Sequence, residues 1–185
     1  GKTTCARIFA KTINMEDGKE LNEHAFNVFE LDAASNNSVD DIRQLTDQVR
    51  IPPQHGTYKV YIIDEVHMLS RNAFNALLKT LEEPPEHVKF IFATTEIRKV
   101  PVTVLSRCQR FDLRRISIEE LMGHYSNIAV KEKCEIEESA LAMISRAAEG
   151  SVRDGLSLLD QAFAHGAGKV SEEQNCADYV EDDRF

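Results

Sequence analysis

What this sequence lacks narrows its role before any motif is read. No apolar run among its 185 residues approaches the length of about 20 needed to span a bilayer, so no membrane association is expected. Positive charge is in deficit, with 22 Lys and Arg against 31 Asp and Glu and a formal net charge of -9. That excludes a whole-surface nucleic-acid binder, while a local basic face inside an assembly stays open. The four cysteines, Cys5, Cys108, Cys134 and Cys176, show no C-x-x-C spacing. They read as reduced cytosolic thiols, and no zinc is expected. The chain opens on Gly1 in the middle of a motif, so it reads as a piece of something longer and says nothing about targeting.

What is present is a charged fraction of 29% and a hydrophobic one of 42%, the balance of a globular chain with a sizeable core. The stretch "KVYIIDEVHML", residues 59 to 69, poses the main question. Val60, Tyr61, Ile62 and Ile63 predict a strand buried on both faces, yet it ends on two adjacent carboxylates, Asp64 and Glu65. Acids beside such a core cost several kcal/mol unless something cationic or wet meets them.

Around that strand, apolar runs alternate with amphipathic helices. A helix over about 3 to 14 is expected to bury Cys5, Ile8, Phe9 and Ile13, followed by a polar loop and the strand "VFELD". Ser38 suits the N-cap of a helix bearing Val39, Ile42, Leu45 and Val49, and Ser70 opens one bearing Phe74, Leu77, Leu78 and Leu81. Strands "VKFIFATT" and "RFDL" follow. Such alternation predicts a parallel α/β sheet over residues 1–115. From Ser117 only helices are predicted: "SIEE" is a capping box, a second helix covers about 138 to 148, and Ser151 caps a third. A small helical domain over 116–168 and a linker or tail over 169–185 complete the division.

The opening "GKTT" matches the second half of a phosphate-binding loop, G-x-x-x-x-G-K-[ST], at a helix start. Backbone N–H groups of Gly1 to Thr4 would hold phosphates, Lys2 would reach the β and γ phosphates, and the Thr3 hydroxyl would ligate Mg²⁺. Four residues alone equally suit an ordinary glycine-capped helix. The required partner is an acid at a strand end: Asp64 would hold Mg²⁺ through its water shell, and Glu65 would orient or deprotonate the attacking water. Thr94 and Thr95 end the next strand, where spacing alone selects neither as a phosphate sensor. Arg107 and Arg153 read as surface cations, and His67 as part of a turn with no assigned role.

The segments "YIIDEVHMLS", "NALLKTLEEPPEHVKFIFATTE", "PVTVLSRC" and "GSVRDGLSLLDQA", in this order behind "GKTT", resemble the gamma/tau clamp-loader ATPases of bacterial DNA polymerase III. The similarity runs from Gly1 to about Ala167. It implies an AAA+ P-loop sheet domain with a helical lid, ATP and Mg²⁺ as ligands, and a role loading the sliding clamp onto primed DNA. By resemblance Gly1, Lys2, Thr3 and Thr4 bind phosphate, Asp64 and Glu65 are the Walker B pair, and Thr95 is the first sensor. Arg107 would act on ATP held by a neighbouring subunit, and Arg153 would be a second sensor in its own. Implied partners are the other subunits of a pentameric loader, the clamp, primer-template DNA and the polymerase III core, all cytoplasmic. Two departures matter: no cysteine stands where the family carries a zinc module, and the phosphate loop lacks its first half and the strand before it. As it stands, the chain is expected not to be a competent ATPase. The rival class is a non-hydrolysing scaffold that lends Arg107 to a neighbour, and a junction-remodelling ATPase is disfavoured by "LLKTLEEPP" with "LSRC".

Overall fold

A computed structural model describes residues 1–14, 27–53, 57–165 and 169–170. The chain divides into two compact units, Gly1–Asp112 and Leu113–Phe185. The first is a parallel three-stranded sheet: β1 (Val28–Asp32), β2 (Lys59–Asp64) and β3 (Val88–Phe92), with β2 in the middle. Every residue of β2 from Lys59 to Ile63 is buried, because alternate side chains serve two cores. Val60 and Ile62 pack with Ala6 and Ala10 of α1 (Lys2–Ile13). Tyr61 and Ile63 pack with Ile42, Leu45 and Val49 of α2 (Val39–Val49) and with Phe74 and Leu77 of α3 (Arg71–Glu82). The continuous apolar run thus reflects a strand covered on both faces.

Helix α1 buries a different face from the expected one. Ala6 and Ala10 lie on the sheet with Ile13 partly buried beside them, as expected for Ile13, while Cys5 is exposed and Ile8 and Phe9 remain 59% and 56% exposed. Alanines at this spacing let the helix axis come close to β2, and Ile8 and Phe9 turn away. Two polar links fix its position along the strand. Buried Asn14 at the helix end exchanges hydrogen bonds with the Tyr58 backbone, donating to its carbonyl at 3.0 Å and accepting from its N–H at 2.9 Å. At the other end Thr3 bonds Asp64. From Thr3 to Asn14 the helix rises roughly 17 Å, and from Tyr58 to Asp64 the strand spans roughly 20 Å, so both anchors can be met at once.

Both expected helix starts carry their caps. The Ser38 hydroxyl accepts from the Asp41 N–H and the Asp41 carboxylate accepts from the Ser38 N–H; Ser70 accepts from the Ala73 N–H before α3. One expected strand is missing. Residues 110–113, "RFDL", form no ladder, and follow the short helix α4 (Val102–Leu105) as irregular chain with Phe111 exposed. A strand exists only where its N–H and C=O groups find a partner, and β3 is paired here with β2 alone. The "VKFIFATT" strand also ends early: its ladder stops at Phe92, Ala93 adds one bond to Ile63, and the threonines leave the sheet.

The second unit packs α5 (Ile118–Glu132), α6 (Glu138–Ala147) and α7 (Val152–His165) around Leu121, Tyr125, Leu141, Ile144 and Leu159. Ser117 and Glu120 form the expected capping box, and the Arg114 guanidinium forked on Glu120 holds that carboxyl at about 2, far below its ordinary range. Ser151 accepts from the Asp154 N–H at the start of α7. A two-residue parallel pair, β4 (Glu135–Ile136) with β5 (Lys169–Val170), adds to the expected helices and takes in the first residues of the expected tail. Two residues are too few to show alternation in a sequence. The cysteine-free loop at 15–26 and the segment 171–185 lie outside the described residues.

Candidate functional site at the end of the central strand

Parallel strands end together, so the carboxyl end of β2 is where loops and a helix start converge. Asp64 stands in register with Asp32 of β1, and its carbonyl accepts from the Ala33 N–H. The Thr3 hydroxyl donates to Asp64 Oδ2 at 2.6 Å across 61 residues of chain, while Oδ1 accepts from the Glu65 N–H at 3.0 Å. Thr3 of the "GKTT" stretch and Asp64 at the strand end therefore meet. Gly1 caps α1 without a side-chain bond, and no acidic residue occupies the first turn. The N–H groups there and the positive end of the helix dipole suit an anion, with Lys2 half-buried beside them.

Glu65 departs from the strand in a left-handed conformation, φ 45° and ψ 46°, rare for a residue with a side chain. That turn sends its carboxylate toward the end of β3. Glu65 Oε2 accepts from the Thr95 N–H at 3.2 Å and from the Thr95 hydroxyl at 3.0 Å. Thr95, rather than Thr94, is thus the threonine on Glu65. Thr94 serves a different group: its oxygen lies 2.9 Å from Nδ1 of His67 and accepts from the Glu96 N–H at 3.0 Å. The His67 side chain is only 7% exposed, with Nδ1 also 3.3 Å from Glu65 Oε2 and Nε2 3.6 Å from Glu96 Oε1. Lys99, bonded to Glu96 at 2.8 Å, holds that carboxyl below its usual range.

Arg107 follows α4 and has other partners. Its guanidinium donates to Glu82 Oε1 at 2.7 Å, at the end of α3, and to the Thr103 carbonyl at 2.6 Å. Arg153 is exposed in the first turn of α7, in the second unit.

Residues 1–117 match the family model described as DNA polymerase III, delta subunit, and residues 120–168 the one described as DNA polymerase III clamp loader subunit, ATPase lid domain. The chain is 53% identical over 177 residues to DNA polymerase III subunit tau of Bacillus subtilis, covering 89% of this chain and 31% of that protein. Against subunit tau of Escherichia coli it is 50% identical over 184 residues, covering 92% and 29%. The chain belongs to the tau/gamma family of DNA polymerase III clamp-loader subunits.

It spans under a third of the length of these two relatives. Among solved structures, the Thermotoga maritima RuvB Holliday junction branch migration motor superposes with a TM-score of 0.70 at 19% identity, covering 96% of this chain and 56% of that one. A gamma subunit-related protein from the same organism gives 0.53 at 22% identity, covering 97% and 63%. At such identities these likenesses speak for the fold alone, an AAA+ sheet unit followed by a helical one. Among the described residues of this clamp-loader subunit no helix is long and apolar enough to cross a membrane.

One residue that sequence reasoning passed over stands inside the group. His67 reaches it because Glu65 turns left-handed and the 3₁₀ turn Val66–Met68 folds the imidazole back under the end of β3. No periodicity encodes that placement. The available signal was a histidine two positions beyond the paired acids.

Proposed function

We propose that this chain is the nucleotide-hydrolysing part of a clamp-loader motor subunit, which uses ATP to open the sliding clamp and release it onto primed DNA. The observation that carries the reading is the 2.6 Å bond from Thr3 to Asp64, which joins the phosphate-loop sequence to the strand-end acid. A hydroxyl and a carboxylate oxygen are hard ligands of the kind Mg²⁺ takes, the remaining positions being filled by water and phosphate. Thr3 and Asp64 would hold the ion, which when bound neutralises charge on the phosphate oxygens. Gly1 to Thr4 would offer N–H groups to the phosphates, with Lys2 on the β and γ positions.

Glu65 would take the proton of the attacking water, and Thr95 would sense the terminal phosphate while bonded to Glu65. Arg107 would reach a neighbour's nucleotide in a pentameric ring, and Arg153 would touch the nucleotide of its own subunit. The partners are then the other loader subunits, the clamp, primer-template DNA and the polymerase III core, in the cytoplasm. A second reading, a scaffold that hydrolyses nothing, is favoured by the delta-subunit description of the model matching residues 1–117.

Glu65→Gln in the full-length subunit separates the two. The motor reading expects ATP binding to persist while hydrolysis falls by about 10² to 10⁴, since an amide cannot accept the proton. Loaders carrying this subunit should stall in clamp release. Wild-type turnover and loading would leave the scaffold reading standing.

A further inference from the structure

The group at the end of β2 contains more fixed contacts than hydrolysis chemistry alone requires. The Thr95 N–H and the Thr95 hydroxyl both donate to one oxygen of the Glu65 carboxylate, Oε2, and Nδ1 of His67 lies 3.3 Å from that same oxygen. A carboxylate whose one oxygen is so occupied has its other oxygen, Oε1, left to act. His67 is held in turn. Its ring is almost wholly buried, and Nδ1 is 2.9 Å from the Thr94 hydroxyl oxygen, which the Glu96 N–H also engages. Nε2 faces an acceptor-only carboxylate as well, but at 3.6 Å Glu96 Oε1 is beyond hydrogen-bond reach. Nδ1 has the Thr94 oxygen at 2.9 Å and the acceptor-only Glu65 Oε2 at 3.3 Å, so the proton is assigned to Nδ1.

We propose that His67 is a positioning residue for the Glu65 base, its Nδ1–H bridging Thr94 and Glu65 Oε2 so that Oε1 faces the attacking water. The inference rests on the reading of Glu65 as base. In the step it serves, the water oxygen bonds the terminal phosphorus as the bond from phosphorus to the ADP oxygen breaks, and the water proton passes to Oε1. The bridge also ties the base to the threonines at the end of β3. Left-handed Glu65 needs such support, because a strained backbone by itself does not hold a flexible side chain in one rotamer.

The test uses the full-length subunit in its assembled loader, with three substitutions at one position. His67→Asn keeps a donor near the place of Nδ1, His67→Gln moves it toward Nε2, and His67→Ala removes it. Displacing a catalytic group by about 1 Å can cost 10²-fold, so His67→Ala and His67→Gln should lower kcat about 10- to 100-fold with KM for ATP within about twofold. His67→Asn should keep most of the wild-type rate. In a Glu65→Gln background His67→Ala should cost nothing further, since the group it positions is gone.

Equal losses in the Asn and Gln variants, a rise in KM with kcat unaltered, or full activity in His67→Ala would each overturn the role. Thermal unfolding of each variant identifies a loss due to misfolding, and the Asn and Gln pair, similar in polarity, keeps the comparison decisive if Ala fails to fold. Wild-type turnover in Glu65→Gln alone would instead overturn the base assignment, and the positioning role with it. A dead Glu65→Gln beside an intact His67→Ala would overturn only the latter.

Discussion

Two glutamates in this chain adopt the same rare backbone conformation to different ends. Glu65 in the α/β unit has φ 45°, and Glu149 in the helical unit has φ 46°. Around Glu65 the polar contacts are long-range in sequence: Thr3 to Asp64, Thr95 to Glu65 and Thr94 to His67 join segments 61, 30 and 27 residues apart. Glu149 sits in the turn that carries the chain from α6 to α7, ahead of Gly150 with φ 82°, and its side chain lies in solvent beside Arg115. The same left-handed step therefore aims a carboxylate in one unit and reverses the chain in the other. It follows that substitutions around the strand ends should register in kinetics, and those around the α6–α7 turn in stability.

The largest effect that would sharpen this contrast belongs to Arg107. A guanidinium supplied to a neighbour's nucleotide stabilises charge on the transferred phosphoryl group, and such residues are worth about 10³ to 10⁵ in rate. In this structure Arg107 rests on Glu82 at an exposed site, a pair of little value to folding. Arg107→Ala in the full-length subunit should leave its melting temperature and its own basal turnover nearly unaltered. Stimulation by clamp and primed DNA should vanish in the assembled loader. Mixed loaders should show the defect in the site the mutant faces. A defect confined to the mutant's own site would make Arg107 a cis residue.

The reverse signature is expected at Gly155. Alanine in a helix interior ordinarily gains about 1 kcal/mol over glycine. Here an added Cβ would run into the hydroxyl of buried Tyr125 and come within 2.8 Å of the Ala148 Cβ. Tyr125 is wholly buried and its hydroxyl faces the Ser151 carbonyl, so it has little room to yield. Gly155→Ala should therefore destabilise the helical unit by roughly 1 to 3 kcal/mol in urea unfolding, as overpacked cores do. Adding Tyr125→Phe should restore part of the loss. A gain in stability from Gly155→Ala would show that α5 and α7 are less closely packed than the geometry indicates.

How far such contrasts can be read from sequence depends on whether a position obeys a periodic rule. The central strand was legible because "VYII" is continuous, which only a doubly covered strand needs, and "GKTT" with "DE" foretold the meeting of Thr3 and Asp64. Caps at Ser38, Ser70 and Ser117 were legible because capping is local chemistry. The buried face of α1 was misread, since large apolar residues outweigh alanines in any hydrophobic pattern while close packing on a sheet prefers Ala6 and Ala10. "RFDL" has strand composition but no ladder partner among the described residues, which composition cannot reveal. His67 was invisible because its place depends on one dihedral pair at Glu65. The roles of Arg107 and Arg153 came from family resemblance, as neither pattern nor spacing distinguishes them from other surface cations.

The smallest effect tests the pair of glutamates directly. Glu149→Gly removes a left-handed strain of about 1 kcal/mol and an exposed ion pair with Arg115 worth about 0 to 1 kcal/mol. It also adds roughly 0.5 to 1 kcal/mol of chain entropy to the unfolded state. The 2.9 Å bond from Arg115 to the Glu149 carbonyl survives, because it needs no side chain. These terms nearly cancel, so stability should stay within about 1 kcal/mol of wild type and hydrolysis should not change. Glu65→Gly relieves the same backbone strain and should likewise fold. Its hydrolysis, however, should fall as far as that of Glu65→Gln, because the oxygen that meets Thr95 and His67 is gone along with the base. Measured side by side by urea unfolding and ATP turnover, the two glycine variants should thus both stay folded and part in rate. If Glu149→Gly also lost turnover while remaining folded, the α6–α7 turn would carry part of the chemistry, and the division between the two left-handed glutamates would fall.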